Sequence, residues 1–177
     1  MPHVFELAPT GRSKCRGCGE PIAKGEWRFG EKLPNPFAEG EMTHWFHPMC
    51  AAYKRPDAIV EVLKDPTPEG IDAKALEAAT KLGLAHHRVP RIDGAERSPS
   101  SQARCRHCKE LIEKGDWRIR LVFHEEGNFA AAGFVHLKCR GAYFETADIL
   151  DQVLHFSRAL DADERASLVG AFEETKT

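Results

Sequence analysis

The cysteines of this chain number six and, with two histidines, fall into two sets of four that repeat one order. The first set is Cys15-x-x-Cys18 and, after twenty-eight intervening residues, His47-x-x-Cys50; the second is Cys105-x-x-Cys108 and, after twenty-seven intervening residues, His136-x-x-Cys139. Three thiolates and one imidazole complete a tetrahedral Zn²⁺ shell and leave no open position for a substrate or an activated water. These eight residues are therefore the candidate ligands of two structural Zn²⁺ ions, and function is expected on the surfaces the metals hold in shape. Disulfides compete as an explanation, but sets of three cannot pair internally, and no signal peptide marks an oxidising compartment. A thioredoxin-type redox pair leaves the His-x-x-Cys half of each set unexplained. The expectation is a reduced, intracellular zinc protein.

Ligands so far apart in sequence must be brought together by strands and turns, and the two sets share a common frame. With Cys15 aligned on Cys105, identities continue through Arg16/Arg106, Glu20/Glu110, Ile22/Ile112, Lys24/Lys114, Gly25/Gly115, Trp27/Trp117 and Arg28/Arg118. A period of about ninety residues is that of tandem domains rather than of a solenoid. In each copy the glycine turns the chain into a strand, with Trp27 and Phe29 or Trp117, Ile119 and Leu121 on its buried face. A second strand through His44, Trp45 and Phe46, or through Phe134 and Val135, delivers the histidine. Residues Pro48–Tyr53 and Leu137–Tyr143 read as a short helix that places the last cysteine one turn from the histidine.

Helices are predicted next. In the first copy they cover Asp57–Lys64 and Asp72–Leu82, the latter stopping at Gly83 as its C′ residue. In the second they cover Ala147–Phe156 and a segment opened by the capping box Asp161-x-x-Glu164 and running to Phe172. Residues 88–101 have linker composition, and the boundary is placed near residue 95. The predicted fold class is α+β: two tandem small zinc-stabilised domains, 1–95 and 96–177, each a short antiparallel β-sheet with a Cys₃His site followed by packed helices.

A net charge of −2 argues against a nucleic-acid partner, but the charge is unevenly spread. Residues 11–55 hold eight Lys/Arg against five Asp/Glu, and residues 101–143 hold the same numbers, whereas 144–177 hold three against eight. Cations thus gather on the zinc segments and acids in the helical parts. No apolar run is long enough to span a bilayer, so no membrane association is expected. No nucleophile elbow, phosphate loop or three-ligand catalytic zinc pattern occurs, so the expectation is that the chain is not an enzyme.

The run Gly11-Arg12-Ser13-Lys14-Cys15-x-x-Cys18, the strand with Trp27-Arg28, Phe37 ahead of the Gly40 turn, and His44-Trp45-Phe46-His47-x-x-Cys50 together resemble the PARP-type zinc finger. That module occurs, often in tandem, in poly(ADP-ribose) polymerase and singly in a vertebrate DNA ligase. The similarity covers residues 8–55 well and 101–144 more loosely. It implies a protein that recognises DNA strand breaks or ends by structure rather than sequence, with roles in DNA damage and repair. Because no catalytic domain follows, it implies break binding without polymerase activity. It further implies phosphate contacts from Arg12 and Arg28, and apolar cover of an exposed base pair by Phe37 and Met42.

The second copy departs from this pattern. Gln102 stands in place of Arg12, and the segment from His124 to Gly133, read as a loop, brings Glu125 and Glu126 where a phosphate would be repelled. Arg118 and Arg120 remain as candidate DNA contacts on the strand, with Phe129 as the candidate wedge. A weaker second finger, or one turned towards a protein partner, is expected. The rival reading of the whole chain is a zinc-stabilised protein–protein interaction adaptor, with the second finger or the acidic C-terminal helices as its contact surface. The expected location is the cytoplasm or nucleoid of a bacterium, or the nucleus if the source is eukaryotic.

Overall fold

A computed structural model describes residues 2–175. Contacts divide the chain into two compact units, residues 1–85 with 126–129, and residues 86–125 with 130–177. Each contains one antiparallel three-stranded sheet, so the fold is α+β as the alternation and capping signals require.

In the first unit the strands are β1 (Val4–Leu7), β2 (Trp27–Pro34) and β3 (Glu41–Phe46), in the order β1-β2-β3. Phe29 pairs with Phe5 on one side and Phe46 on the other. The three rings form an edge-to-face and tilted cluster, with centroids 5.9 Å and 6.3 Å apart, on which the sheet closes. The helices are α1 (Pro48–Lys54), α2 (Pro56–Val62) and α3 (Ala73–Ala85). Prolines open the first two, at positions where the missing N–H costs nothing. α3 packs on both, and Ile59 and Leu76 are fully buried there. Gly83, expected to end α3, lies buried inside it, and the helix runs on to Ala85. Its contacts with α1 and α2 outweigh the poor helix propensity of one glycine, about 1 kcal/mol.

The second unit repeats this plan with β4 (Ile92–Arg97), β5 (Trp117–Glu125) and β6 (Asn128–His136), in the order β4-β5-β6. The stretch 88–101, read as linker, is thus largely structured: a 3₁₀ turn over Val89–Arg91 leads into β4, where Ile92 and Ala95 are buried. The division of contacts falls between Ala85 and His86, ahead of residue 95, because β4 hydrogen-bonds to β5. The predicted helix Leu137–Tyr143 splits into a 3₁₀ turn over Leu137–Cys139 and α4 (Arg140–Phe144). Then come α5 (Leu150–His155) and α6 (Ala162–Glu174). Asp161 caps α6 by accepting from the Glu164 N–H at 2.8 Å, as its sequence predicts. The core of this unit is Ile112, Ile119, Val135, Phe144, Val153 and Leu168.

Candidate functional site

Each metal site is assembled from a knuckle, a strand end and a helix start. In the first, the Gly19 N–H bonds back to the Cys15 carbonyl at 2.8 Å, folding Cys15 and Cys18 towards one point. Gly19 takes φ +80°, a conformation glycine adopts freely. In the second the corresponding bond runs from Lys109 to Cys105 at 3.0 Å, and Lys109 itself sits at φ 68°. His47 directly follows β3 and Cys50 lies in α1; His136 ends β6 and Cys139 closes the 3₁₀ turn. All four donor atoms of each set lie within 4.8 Å of one another.

The donors fit a zinc ion. Zn–S and Zn–N bonds of about 2.3 and 2.0 Å at a tetrahedral angle place S and N roughly 3.6 Å apart. Nδ1 of His47 lies 3.4 Å from Cys18 Sγ and 3.9 Å from Cys50 Sγ; in the second site the values from His136 Nδ1 are 3.3 Å to Cys108 and 3.9 Å to Cys139. His136 Nε2 is 3.0 Å from the Leu111 carbonyl. A carbonyl only accepts, so Nε2 carries the hydrogen and Nδ1 is left bare for the metal. Backbone N–H groups of Gly17 and His47 donate to Cys15 Sγ, and those of His107 and His136 to Cys105 Sγ, which favours the thiolate.

The electrostatics agree. Hydrogen bonds from Cys15 and Cys50 hold the Cys18 thiol far below its ordinary range, while contact with Cys15 and Cys18 pushes Cys50 far up. His47, hydrogen-bonded to Cys15 and Cys18, is raised to about 10. In the second site burial raises Cys105, but backbone hydrogen bonds from Cys108, His136 and His107 outweigh it and leave it at about 7. Burial, then Cys105, pushes Cys139 up to about 12. In each cage the low-lying thiolate holds protons on its neighbours, on His47 and Cys50 in the first and on Cys139 in the second, and one dication with four bonds displaces these protons and satisfies every donor. With no coordination position left over, the two Zn²⁺ ions are structural.

The residues singled out for DNA divide by exposure. Phe37 is 94% exposed at the tip of the β2–β3 hairpin, where its N–H donates to Asn35 Oδ1 at 2.9 Å. Arg12 is exposed, as are Lys14 and Arg16 on the same segment, and Met42 is half-buried in β3.

Arg28 is different: only 6% exposed, it donates to Glu6 at 2.5 Å and Ser13 at 2.9 Å, and its guanidinium lies 3.5 Å over the Trp45 ring. Arg118 repeats this with Glu96, Ser98 and the Phe134 ring. Arg120 donates to the same Glu96 at 2.9 Å. Burial pushes Glu96 up, yet the hydrogen bonds of Arg118 and Arg120 outweigh it and hold its carboxyl below the usual range.

Both sandwiches were missed in the sequence, together with β1 and β4 that supply their acids. The signal was present: the ninety-residue offset that aligns the knuckles also sets Glu6 over Glu96.

The segment from His124 to Gly133 is corrected as well. Strands β5 and β6 are joined by Glu126 and Gly127 alone, with φ of 49° and 83°, a two-residue turn of the kind that suits a twisted hairpin. Phe129 therefore lies within β6, half-buried, and not on a projecting loop.

With this geometry in hand, residues 6–83 match the model described as Poly(ADP-ribose) polymerase and DNA-Ligase Zn-finger region. Residues 6–83 form a PARP-type zinc finger. The chain is similar to Poly [ADP-ribose] polymerase 1 of Gallus gallus, 30% identical over 71% of this chain and 14% of that protein. Poly [ADP-ribose] polymerase of Drosophila melanogaster is 26% identical over 78% of this chain and 16% of its own length. Polynucleotide 3'-phosphatase ZDP of Arabidopsis thaliana is 25% identical over 93% of this chain and 27% of its length. The chain thus spans between about a seventh and a little over a quarter of the length of these relatives. Among the described residues no helix is long and apolar enough to cross a membrane.

Proposed function

We propose that this protein binds DNA at strand breaks or ends, by structure rather than sequence and without catalysis, chiefly through its first finger. The observation that carries this reading is Phe37. An almost fully exposed phenyl ring on a six-residue tip, Asn35–Gly40, between two strands has no packing role in its own unit. Water is a poor environment for it, and the face of a terminal base pair, which an intact duplex keeps stacked, is a good one. Exposed Arg12, Lys14 and Arg16 supply the cations that hold backbone phosphates nearby. Met42, half-buried in β3 just past the tip, is a further apolar side chain of the same hairpin.

Arg28 enters this reading as support. A phosphate would have to displace Glu6, so the role of its guanidinium is to tie β1 to the sheet under Trp45. Arg118 does the same in the second unit, and Arg120 shares its carboxylate. The family match supports DNA binding, and the similarity to a polynucleotide 3'-phosphatase supports an action at strand termini. The test compares a nicked hairpin with a covalently closed circle of the same sequence. Tighter binding of the nicked substrate, with affinity falling by a log–log salt slope of about −0.9 per neutralised phosphate, is expected. Equal affinity for both substrates contradicts break recognition.

A further inference from the structure

A groove lies beside the metal histidine of each unit. In the first it is lined by Trp27, Met49, Ile71 and Leu76, together with the carboxylates Glu26 and Asp72, and has a volume of about 420 Å³. Among the described residues no lysine or arginine lines it. The second unit has a groove of about 330 Å³ at the equivalent place, with Trp117, Leu137, Glu113 and Asp116, to which Lys138 adds a cation. The recurrence ties the feature to the fold. The charge difference sets the first groove apart as the more acidic.

Two carboxylates beside an indole repel phosphate, so the groove does not belong to the DNA surface. They suit a side chain with an apolar stem and a cationic head. The chain already uses this chemistry internally, where Arg28 lies 3.5 Å over Trp45 and bonds to Glu6. Both groove carboxylates are also held in place by one backbone N–H each: Glu26 Oε1 accepts from Ala23 at 2.8 Å, and Asp72 Oδ1 from Ala75 at 3.1 Å. Each keeps a second oxygen for a cation.

We infer that the groove of the first unit docks a lysine- or arginine-bearing segment of a basic partner protein, with the stem on Trp27 and Ile71 and the head between Glu26 and Asp72. The partner's positive charge is what the lining complements, and the DNA-facing cations on 12–16 are free to act at the same time. Through such a segment the finger joins a broken DNA end to a basic protein.

The full-length zinc-loaded protein tests this. Of its three tryptophans, Trp45→Phe and Trp117→Phe leave Trp27 as the reporter. A synthetic Lys-Leu repeat peptide should shift Trp27 fluorescence on binding, and the same peptide acetylated at every lysine should not. In the otherwise unaltered protein, Glu26→Gln with Asp72→Asn removes both charges but keeps an oxygen for each backbone N–H. That pair should weaken peptide binding about tenfold, measured calorimetrically, with zinc content and affinity for nicked DNA unchanged. No binding of the basic peptide, equal binding of the acetylated one, or full affinity in the double variant overturns the proposal. So does a loss of DNA affinity in that variant, which would place the groove in the DNA interface.

Discussion

The hairpins that follow the two knuckles begin alike and end differently. β2 and β3 are separated by six residues that lift Phe37 into solvent, whereas β5 and β6 turn over Glu126 and Gly127 alone. The knuckle segment differs in the same sense, with exposed Arg12 in the first unit and exposed Gln102 in the second. What the units share is the metal cage and the acid–arginine–ring sandwich beneath it. The two units thus share the parts that hold the scaffold and differ in the exposed ones, a contrast that fits the proposed role of the first hairpin in recognition.

The cages should give the largest effects. Cys50→Ser or Cys139→Ser should reduce bound zinc from two ions to one and unfold the unit that loses its metal, since such a site contributes on the order of 10 kcal/mol. Metal analysis with amide exchange reads both results, and a unit that stays folded without zinc would break the parallel between the cages. The sandwiches come next. Arg28→Ala should destabilise the first unit by about 2 kcal/mol, through lost hydrogen bonds and stacking. Arg118→Ala should cost the second unit roughly half as much, because Arg120 still holds Glu96. Unit-resolved exchange under mild denaturant checks the order, and a reversed order would contradict the shared design. The smallest effect is at the knuckles. Lys109→Gly should stabilise the second unit by about 1 kcal/mol, by relieving a left-handed residue that the first unit gives to Gly19. A thermal melt detects it.

The metal sites were legible because coordination chemistry dictates both residue type and spacing, and a second copy confirms the order. Asp161 was legible for a local reason, its carboxylate needing only the N–H three residues on. Strands β1 and β4 were not. Val4–Leu7 is four residues long, and its partners lie twenty or more residues away, so nothing in its neighbourhood announces pairing. Arg28 reads as a surface cation for the same reason. Its burial depends on Glu6 and Trp45, which arrive from two other strands. Phe129 was misplaced because a Glu-Gly pair in a tight turn leaves little trace in composition, and the acids beside it read as loop.

The central claim is that the long tip of the first hairpin recognises interrupted DNA and the short one of the second does not. Its most direct test is the ratio of affinities for nicked and closed DNA in the full chain carrying Phe37→Ala or Phe129→Ala. The account predicts that Phe37→Ala lowers that ratio about tenfold, the worth of one stacking contact, with zinc content and stability unaltered. It predicts that Phe129→Ala leaves the ratio where it was. A ratio unmoved by Phe37→Ala, or moved as much by Phe129→Ala, would contradict it.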